Sequence, residues 1–418
     1  MNLSVATQSV NKTGDNVMKE SFKRNFGLGL LAVSILSLIC FGIVGIGRDP
    51  NRPLNFDGAV LYAAGRAWLN GLNPYNHDML TQSVAAVKEI NYLQDAGFFY
   101  PPQSAALCMF VGLFDYSIGK YVWLLFNLLS IAALIAMTVR TINEHQNNSE
   151  KQLGILVMSA MIIGNPFTSH VVWMGQTSLM AFAATMGAWF FSQRQKFVLA
   201  GICLGIASFK PQLCLLLGIW FLLERNWKIL AVAFATVIVM SAYPLVLYGG
   251  PIGMLAAWHQ GIQDSYSSLP FNQPGYIDKV GMESLFASVG FKIPAIKIVA
   301  VILAVVLWVF RNKINREDVL ALLMGISFTF LGFTHVYDYV GLFPILTSLW
   351  LYCSTNGKAL LSSMALVFLL FFPRRIFLAA GLPFLVHWRT IVVLLLVVGV
   401  AAFSIKAKSS EGLQEEIA

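Results

Sequence analysis

The sequence predicts an all-α polytopic membrane protein, and three observations carry that prediction. Hydrophobic residues make up 57% of the 418-residue chain and charged residues only 11%, against roughly a quarter charged in soluble domains. Runs such as "FGLGLLAVSILSLICFGIVGIG" (26 to 47) and "ILAVAFATVIVMSAYPLVLY" (229 to 248) are each long enough to cross about 30 Å of hydrocarbon as a helix. The alternating pattern of a membrane β-barrel is absent. A net charge of +8 does not point to nucleic acid, because the cations fall in short connections, as the bias toward cytoplasmic positive charge requires.

The elements follow in order. The first 24 residues are polar, with Lys12, Lys19, Lys23 and Arg24 ahead of an apolar run too long for a signal-peptide core and without a small-residue cleavage pattern. A cytoplasmic tail over 1–24 and a retained first helix are expected. Further helices are predicted near 102–115, 120–139, 153–164, 177–192, 197–209, 211–224, 229–248, 294–310, 318–333, 339–353, 358–372 and 390–405, giving about 11 to 13 membrane segments in a domain over 25–406. The basic connections "RQK" (194–196), "RNWK" (225–228), "RNKINR" (311–316) and "KAK" (406–408) are expected in the cytoplasm. The outer loops are then 48–101, 249–293, 334–338 and 373–389. The segment 140–151 also reads as cytoplasmic, which requires 102–115, opened by a Pro pair, to dip into the membrane without crossing. The polar tails, 1–24 and 407–418, are the segments expected to lack structure.

Five cysteines are scattered through apolar segments without the paired spacing of a zinc site or redox couple, and read as core. No repeat of 20 to 50 residues is visible, nor a pair of matching interrupted helices of the kind found in transporters. No cofactor is predicted; a divalent metal stays open.

Five stretches hold polar groups that hydropathy does not explain. In "DGAVLYAAGRAWLNG", Val60, Leu61, Ala64 and Trp68 share a face at helical spacing, which predicts a short helix lying on the outer membrane surface. Asp57 begins it, either as an N-cap or as a carboxylate placed at the membrane boundary to act as general base. "FFYPPQSAAL" (98–107) carries a Pro pair that starts a helix without losing a useful hydrogen bond. Gln176 in "WMGQTSLM" sits at the outer end of a predicted helix, as a cap or as a ligand contact. Lys210 in "IASFKPQLC" lies about 13 residues from each neighbouring cytoplasmic connection, hence about 20 Å deep. There it costs roughly 2.5–3.5 kcal/mol unless partnered, so it either snorkels outward or meets an anion. His335, Tyr337, Asp338 and Tyr339 crowd a very short outer loop.

Taken together, these stretches resemble the membrane mannosyltransferases of glycosyltransferase family 87. The likeness runs through Asp57, Tyr62, Ala63, Ala64, Ala67, Leu69, Gly71, Pro74 and Tyr75, then Tyr100-Pro101-Pro102, Gly175-Gln176, Ala200-Gly201, Lys210-Pro211, and the late His335 and Tyr337. The resemblance implies a GT-C-type architecture and a polyprenyl-phosphate-linked sugar donor. It implies a glycan, glycolipid or surface-protein acceptor reached from the extracytoplasmic face of a bacterial inner membrane, and Asp57 as catalytic base. Lys210, His335, Tyr337, Gln176, Arg374 and Arg375 are then expected on the donor's phosphate and sugar, and Tyr62, Arg66, Tyr100 and Asp338 in the substrate pocket. Ser178 where the family more often has Asn, and a single histidine in "THVYDY", leave the sugar open between mannose and a pentose such as arabinofuranose. A transporter or flippase of a lipid-linked sugar, or a non-catalytic scaffold of envelope assembly, are the alternatives; the missing repeats and the acid-bearing outer loop stand against them.

Overall fold

The computed structural model describes residues 3–49, 51–90, 97–146, 148–266, 269–332, 334–354 and 356–417. Among them there is no β-strand; one isolated antiparallel bridge, between Lys279 and His335, is the only extended pairing of that kind. The chain is an all-α polytopic membrane protein. Among the described residues four helices are long and apolar enough to cross a bilayer: Glu20–Ile43, Tyr116–His145, Val336–Cys353 and Leu385–Ser410. The pair Glu150–Gly164 and Pro166–Met174 is long and apolar enough for a broken span or a re-entrant loop, bent by 43° at Asn165, where Pro166 removes a backbone donor.

The predicted apolar runs are thus helical, but fewer of them are full-length spans than their number suggests. Phe197–Ala207, Trp227–Met240, Ile296–Val309 and Gly357–Phe371 are apolar helices of intermediate length, and Ala105–Gly112 has only 8 residues, about 12 Å of helix. The expectation that 102–115 enters without crossing agrees with that length. The expectation of unstructured tails is corrected: the first helix is continuous from Leu3 and the last runs on to Ile417, since neither tail contains a proline to stop it.

Polar contacts gather at both ends of the bundle. At one end Arg194 meets Glu144 at 2.5 Å, His145 meets Glu317 at 2.6 Å, and Lys23 meets Glu150 at 2.8 Å. Arg316 reaches Gln193 and Glu224, and Gln146 reaches Ser354. The connections after Arg140, Gln193, Glu224 and Phe310 therefore lie together, which places 140–151 beside the basic loops, as its composition predicts. The opposite end carries the segments that start or finish near residues 55, 100, 175, 278, 336 and 374.

The helix after Asp57 spans Gly58–Leu69, where the sequence predicts one. It does not lie on a surface. Ala59, Leu61, Tyr62, Ala63, Ala64, Ala67 and Trp68 are all buried, on every side of the helix. Its glycine and alanines permit this: a Cβ on Gly65 would strike the carbonyl of Cys108, and one on Gly112 would meet Gly65. Such small residues let two backbones approach closely. Trp68, Tyr75 and Phe98 pack edge-on beside them in a second, smaller core.

Candidate active site

The site begins with how Asp57 is held. The helix Pro166–Met174 starts on Asn165, whose side chain accepts from Thr168 N at 2.9 Å, and ends at Gly175 in the left-handed conformation. Trp123 Nε1 donates to the Gly175 carbonyl at 2.6 Å. Against this turn runs the segment before the Asp57 helix: Asn55 N donates to Trp173 O and Asp57 N to Met174 O, each at 2.8 Å. Two segments more than a hundred residues apart are thereby zipped so that the side chains of Asp57 and Gln176 face each other.

Asp57 occupies the N-cap position, yet its backbone is helical (φ −78°, ψ −30°) and its carboxylate caps nothing. Gln176 Nε2 donates to Asp57 Oδ2 instead. Tyr100 Oη donates to Gln176 Oε1 at 3.3 Å and accepts from Thr177 Oγ1 at 3.4 Å. A carboxylate can only accept, so this chain fixes the amide with its nitrogen toward Asp57. Burial pushes the Asp57 carboxyl up to about 6, against the opposing effects of the Gln176 hydrogen bond and the charges of Arg52 and Lys210. Such a group is ionised at neutral pH and still basic enough to take a proton. Tyr100, desolvated beside it, is held well above the usual phenol value and stays a donor.

Gln176→Leu removes the hydrogen bond that stabilises the ionised form. With Asp57 as general base, the acid limb of the pH–rate profile is expected near 6 and at higher pH in that variant. An unmoved limb in a pH–rate profile would show that the titrating group is not Asp57.

A second polar centre adjoins the first. The helices Phe197–Ala207 and Leu215–Leu223 are separated by a break around Pro211 that exposes backbone groups and turns Lys210 inward. Lys210 does not snorkel: only 6% exposed, it donates to Asp338 Oδ1 at 2.6 Å and to Ser178 Oγ at 2.6 Å. Ser178 Oγ and His335 N complete the shell around the fully buried Asp338 at 2.7 and 2.9 Å. The Lys210 ammonium also lies 4.8 Å from the centre of the Tyr337 ring, whose other neighbours are the parallel His335 ring at 5.2 Å and His170 at 5.9 Å. Gln103, from the short 102–112 segment, reaches Ser208 on the Lys210 break, tying the two interrupted segments together.

The loop over 276–281 closes this centre. Val336 N donates to Asp278 O and Val280 N to Thr334 O. Lys279, buried there, is pushed down to about 8 mainly by desolvation, with Asp338 and Glu283 acting the other way. Burial, and secondarily Lys279, keep the His335 imidazole near 3 and therefore neutral. Arg374 donates to the Asp278 carboxylate and the Ile277 carbonyl; the side chain of Arg375 lies outside the described residues. The charges of Arg48, Arg374 and Arg52 all act on His170. Around the site, Arg48, Arg52, Lys210, Lys279, Lys297 and Arg374 outnumber Asp49, Asp57, Asp278, Glu283 and Asp338 by one, so the region carries a small excess of positive charge.

The structure thus brings together Asp57, Tyr100, Gln176, Lys210, His335, Tyr337 and Asp338, with Arg374 at the margin. It does not bring Tyr62 or Arg66 there. Tyr62 donates to Phe114 O and packs edge-on against Tyr116, while Arg66 donates to Gly112 O; both face the short Ala105–Gly112 helix. Asp338 is a sealed ion-pair partner rather than a group open to substrate. Sequence reasoning missed Lys279, Ser178 as a ligand of Lys210, and His170. Lys279 left no trace that sets it apart, because the outer loops also carry Arg48, Arg52, Lys88, Lys292 and Arg374.

The family model described as "Glycosyltransferase family 87" matches residues 98–334, more than half of the chain. The chain belongs to glycosyltransferase family 87. No curated protein and no solved structure gives a significant match. This glycosyltransferase therefore takes a sugar from a donor to an acceptor, and does so as a membrane protein. The matched residues include Tyr100, Gln176 and Lys210 but start after Asp57 and stop just before His335, so the two ends of the site are joined to it by geometry.

Proposed function

We propose that this glycosyltransferase transfers a sugar from a polyprenyl-phosphate-linked donor to an acceptor hydroxyl at the extracytoplasmic face of a bacterial inner membrane, in a GT-C-type architecture. The observation that carries the reading is a half-buried, non-capping carboxylate, Asp57, aimed by Gln176 beside a cation-rich centre. Asp57 takes the proton as the acceptor oxygen attacks the anomeric carbon. The bond from that carbon to the donor phosphate breaks, and the polyprenyl phosphate leaves with the electron pair. His335, Tyr337 and the Lys210 centre line the phosphate side, where Lys279 adds positive charge beyond what Asp338 neutralises and Arg374 stands at the margin on Asp278. Electrostatic stabilisation of this kind is worth most where water is excluded. Retention by double displacement needs a second carboxylate as nucleophile; Asp338 is sealed by three donors, and Asp278 and Asp49 are paired with Arg374 and Arg52. One base and direct displacement give inversion. The sugar is mannose or a pentose, and the acceptor a glycan, glycolipid or surface protein.

Two measurements test this. Purified protein mixed with acceptor-bearing native membranes should transfer label from polyprenyl-phosphate mannose or polyprenyl-phosphate arabinofuranose, with inverted anomeric configuration, and not from nucleotide sugars. Transfer from a nucleotide sugar, or movement of the lipid-linked sugar across vesicles without transfer, would reject it. For the face, a cysteine placed at the exposed Asn76 of a cysteine-free variant should react with an impermeant thiol reagent in intact cells. One at the exposed Lys196 should react only after permeabilisation; the reverse pattern would put the site in the cytoplasm.

A further inference from the structure

We infer that Asn55 is a positioning residue: its carboxamide is a wedge between Gly58 and Gly175 that fixes the direction of the Asp57 carboxylate. The inference rests on reading Asp57 as the base. Asn55 is 2% exposed and holds φ at 70°, the left-handed region, which asparagine enters more readily than other non-glycine residues. Each of its groups faces a different part of the site. Its N–H donates to Trp173 O at 2.8 Å, and its carbonyl accepts the N–H of Ala59, at 2.9 Å, in the first turn of the Asp57 helix. Its side chain fills the space beside two glycines. A Cβ on Gly58 would collide with the carboxamide first, and one on Gly175 would collide with the same oxygen. Gly58 begins the Asp57 helix, and Gly175 immediately precedes Gln176. The wedge therefore touches the residue after the base and the residue before the group that orients it.

The cost of this arrangement argues for its purpose. Asn55 Oδ1 is buried and accepts no hydrogen bond among the described residues. An unsatisfied buried acceptor costs about 1–3 kcal/mol, in addition to the left-handed backbone. Costs of that type persist at sites where geometry is constrained by function. Gly58, with an ordinary helical backbone, has no need of glycine other than this contact. The glycine and the asparagine form a matched pair.

The test uses full-length protein in the transfer assay, read as a pH profile. Asn55→Gly keeps the left-handed backbone and removes the wedge. With Asp57 free to turn toward water, kcat should fall about 10- to 100-fold, and the acid limb should move from about 6 toward the ordinary carboxylate range. Asn55→Asp keeps the shape but places a second carboxylate beside the base, and the limb should move above 6. If both variants retain a limb near 6, whatever their amplitude, Asn55 only supports folding and the inference is wrong. Gly58→Ala, measured by thermal unfolding, should be destabilising in the native background and tolerated in Asn55→Gly; equal destabilisation in both would show that no wedge exists. These readings remain interpretable if the base is misassigned. In that case Asp57→Asn itself stays active, whereas failure of the wedge alone leaves Asp57→Asn inactive with Asn55 variants normal.

Discussion

Asp57→Asn should abolish sugar transfer almost completely, by about 100-fold or more, the scale lost with a positioned base, while leaving the protein folded. The structure separates this outcome from a capping role. The Asp57 carboxylate makes no cap to the following helix, so no capping energy is at stake in the substitution, and asparagine preserves the shape that meets Gln176. The pH dependence of stability adds an independent check. Burial raises the Asp57 carboxyl from 3.8 to about 6 in the folded protein, so the folded state binds a proton more tightly than the unfolded chain. Any stability this group lends is therefore fully present below the unfolded value and is lost as pH rises through about 6. The neutral asparagine has no such loss. At pH 8 the variant should unfold no more readily than the native protein, by thermal melting in detergent, while transferring almost no sugar. A variant that transfers within a few-fold of native rate, or one whose inactivity follows its loss of folding, would remove Asp57 from the chemistry.

How much of this was legible in the sequence depends on what kind of physics each feature obeys. Helix positions follow from local apolar runs, and the helix after Asp57 was legible because its start and period are local. Its burial was not. Hydropathy weighs Val60, Leu61 and Trp68 and reads an amphipathic surface helix, whereas Ala59, Ala63, Gly65 and Ala67 decide the outcome by being small enough for the Ala105–Gly112 backbone to approach. The crowded loop at His335 stood out by composition. The partnership of its Asp338 with Lys210 spans 128 positions and no pattern in either stretch announces it. The depth of Lys210 calls for either snorkelling or a partner, but depth cannot say whether a lysine's counter-charge comes from the ligand or from the protein.

That last distinction governs what substitution of Lys210 should do. Lys210→Met leaves Asp338 fully buried and still bonded to Ser178 and the His335 N–H, but without its counter-charge, so it either stays ionised and unpaired or takes up a proton. Breaking one half of a buried pair costs roughly 3–5 kcal/mol, a large share of the stability of any domain. The single variant should therefore be lost chiefly through folding, before donor binding can be measured. Lys210→Met combined with Asp338→Asn removes both charges and keeps an amide oxygen for the His335 N–H, so folding should largely return. In the refolded double variant the donor KM should rise less than about 10-fold, because the native ammonium is already committed to Asp338 at 2.6 Å and other cations supply the excess field. Single and double variants compared by thermal unfolding and then by donor titration give the two terms separately. Equal stability of the single variant and the native protein would mean that the ion pair does not form. A double variant that folds normally yet loses donor affinity by about 100-fold, roughly 2.7 kcal/mol, would mean that Lys210 turns from Asp338 to the donor phosphate when the donor binds.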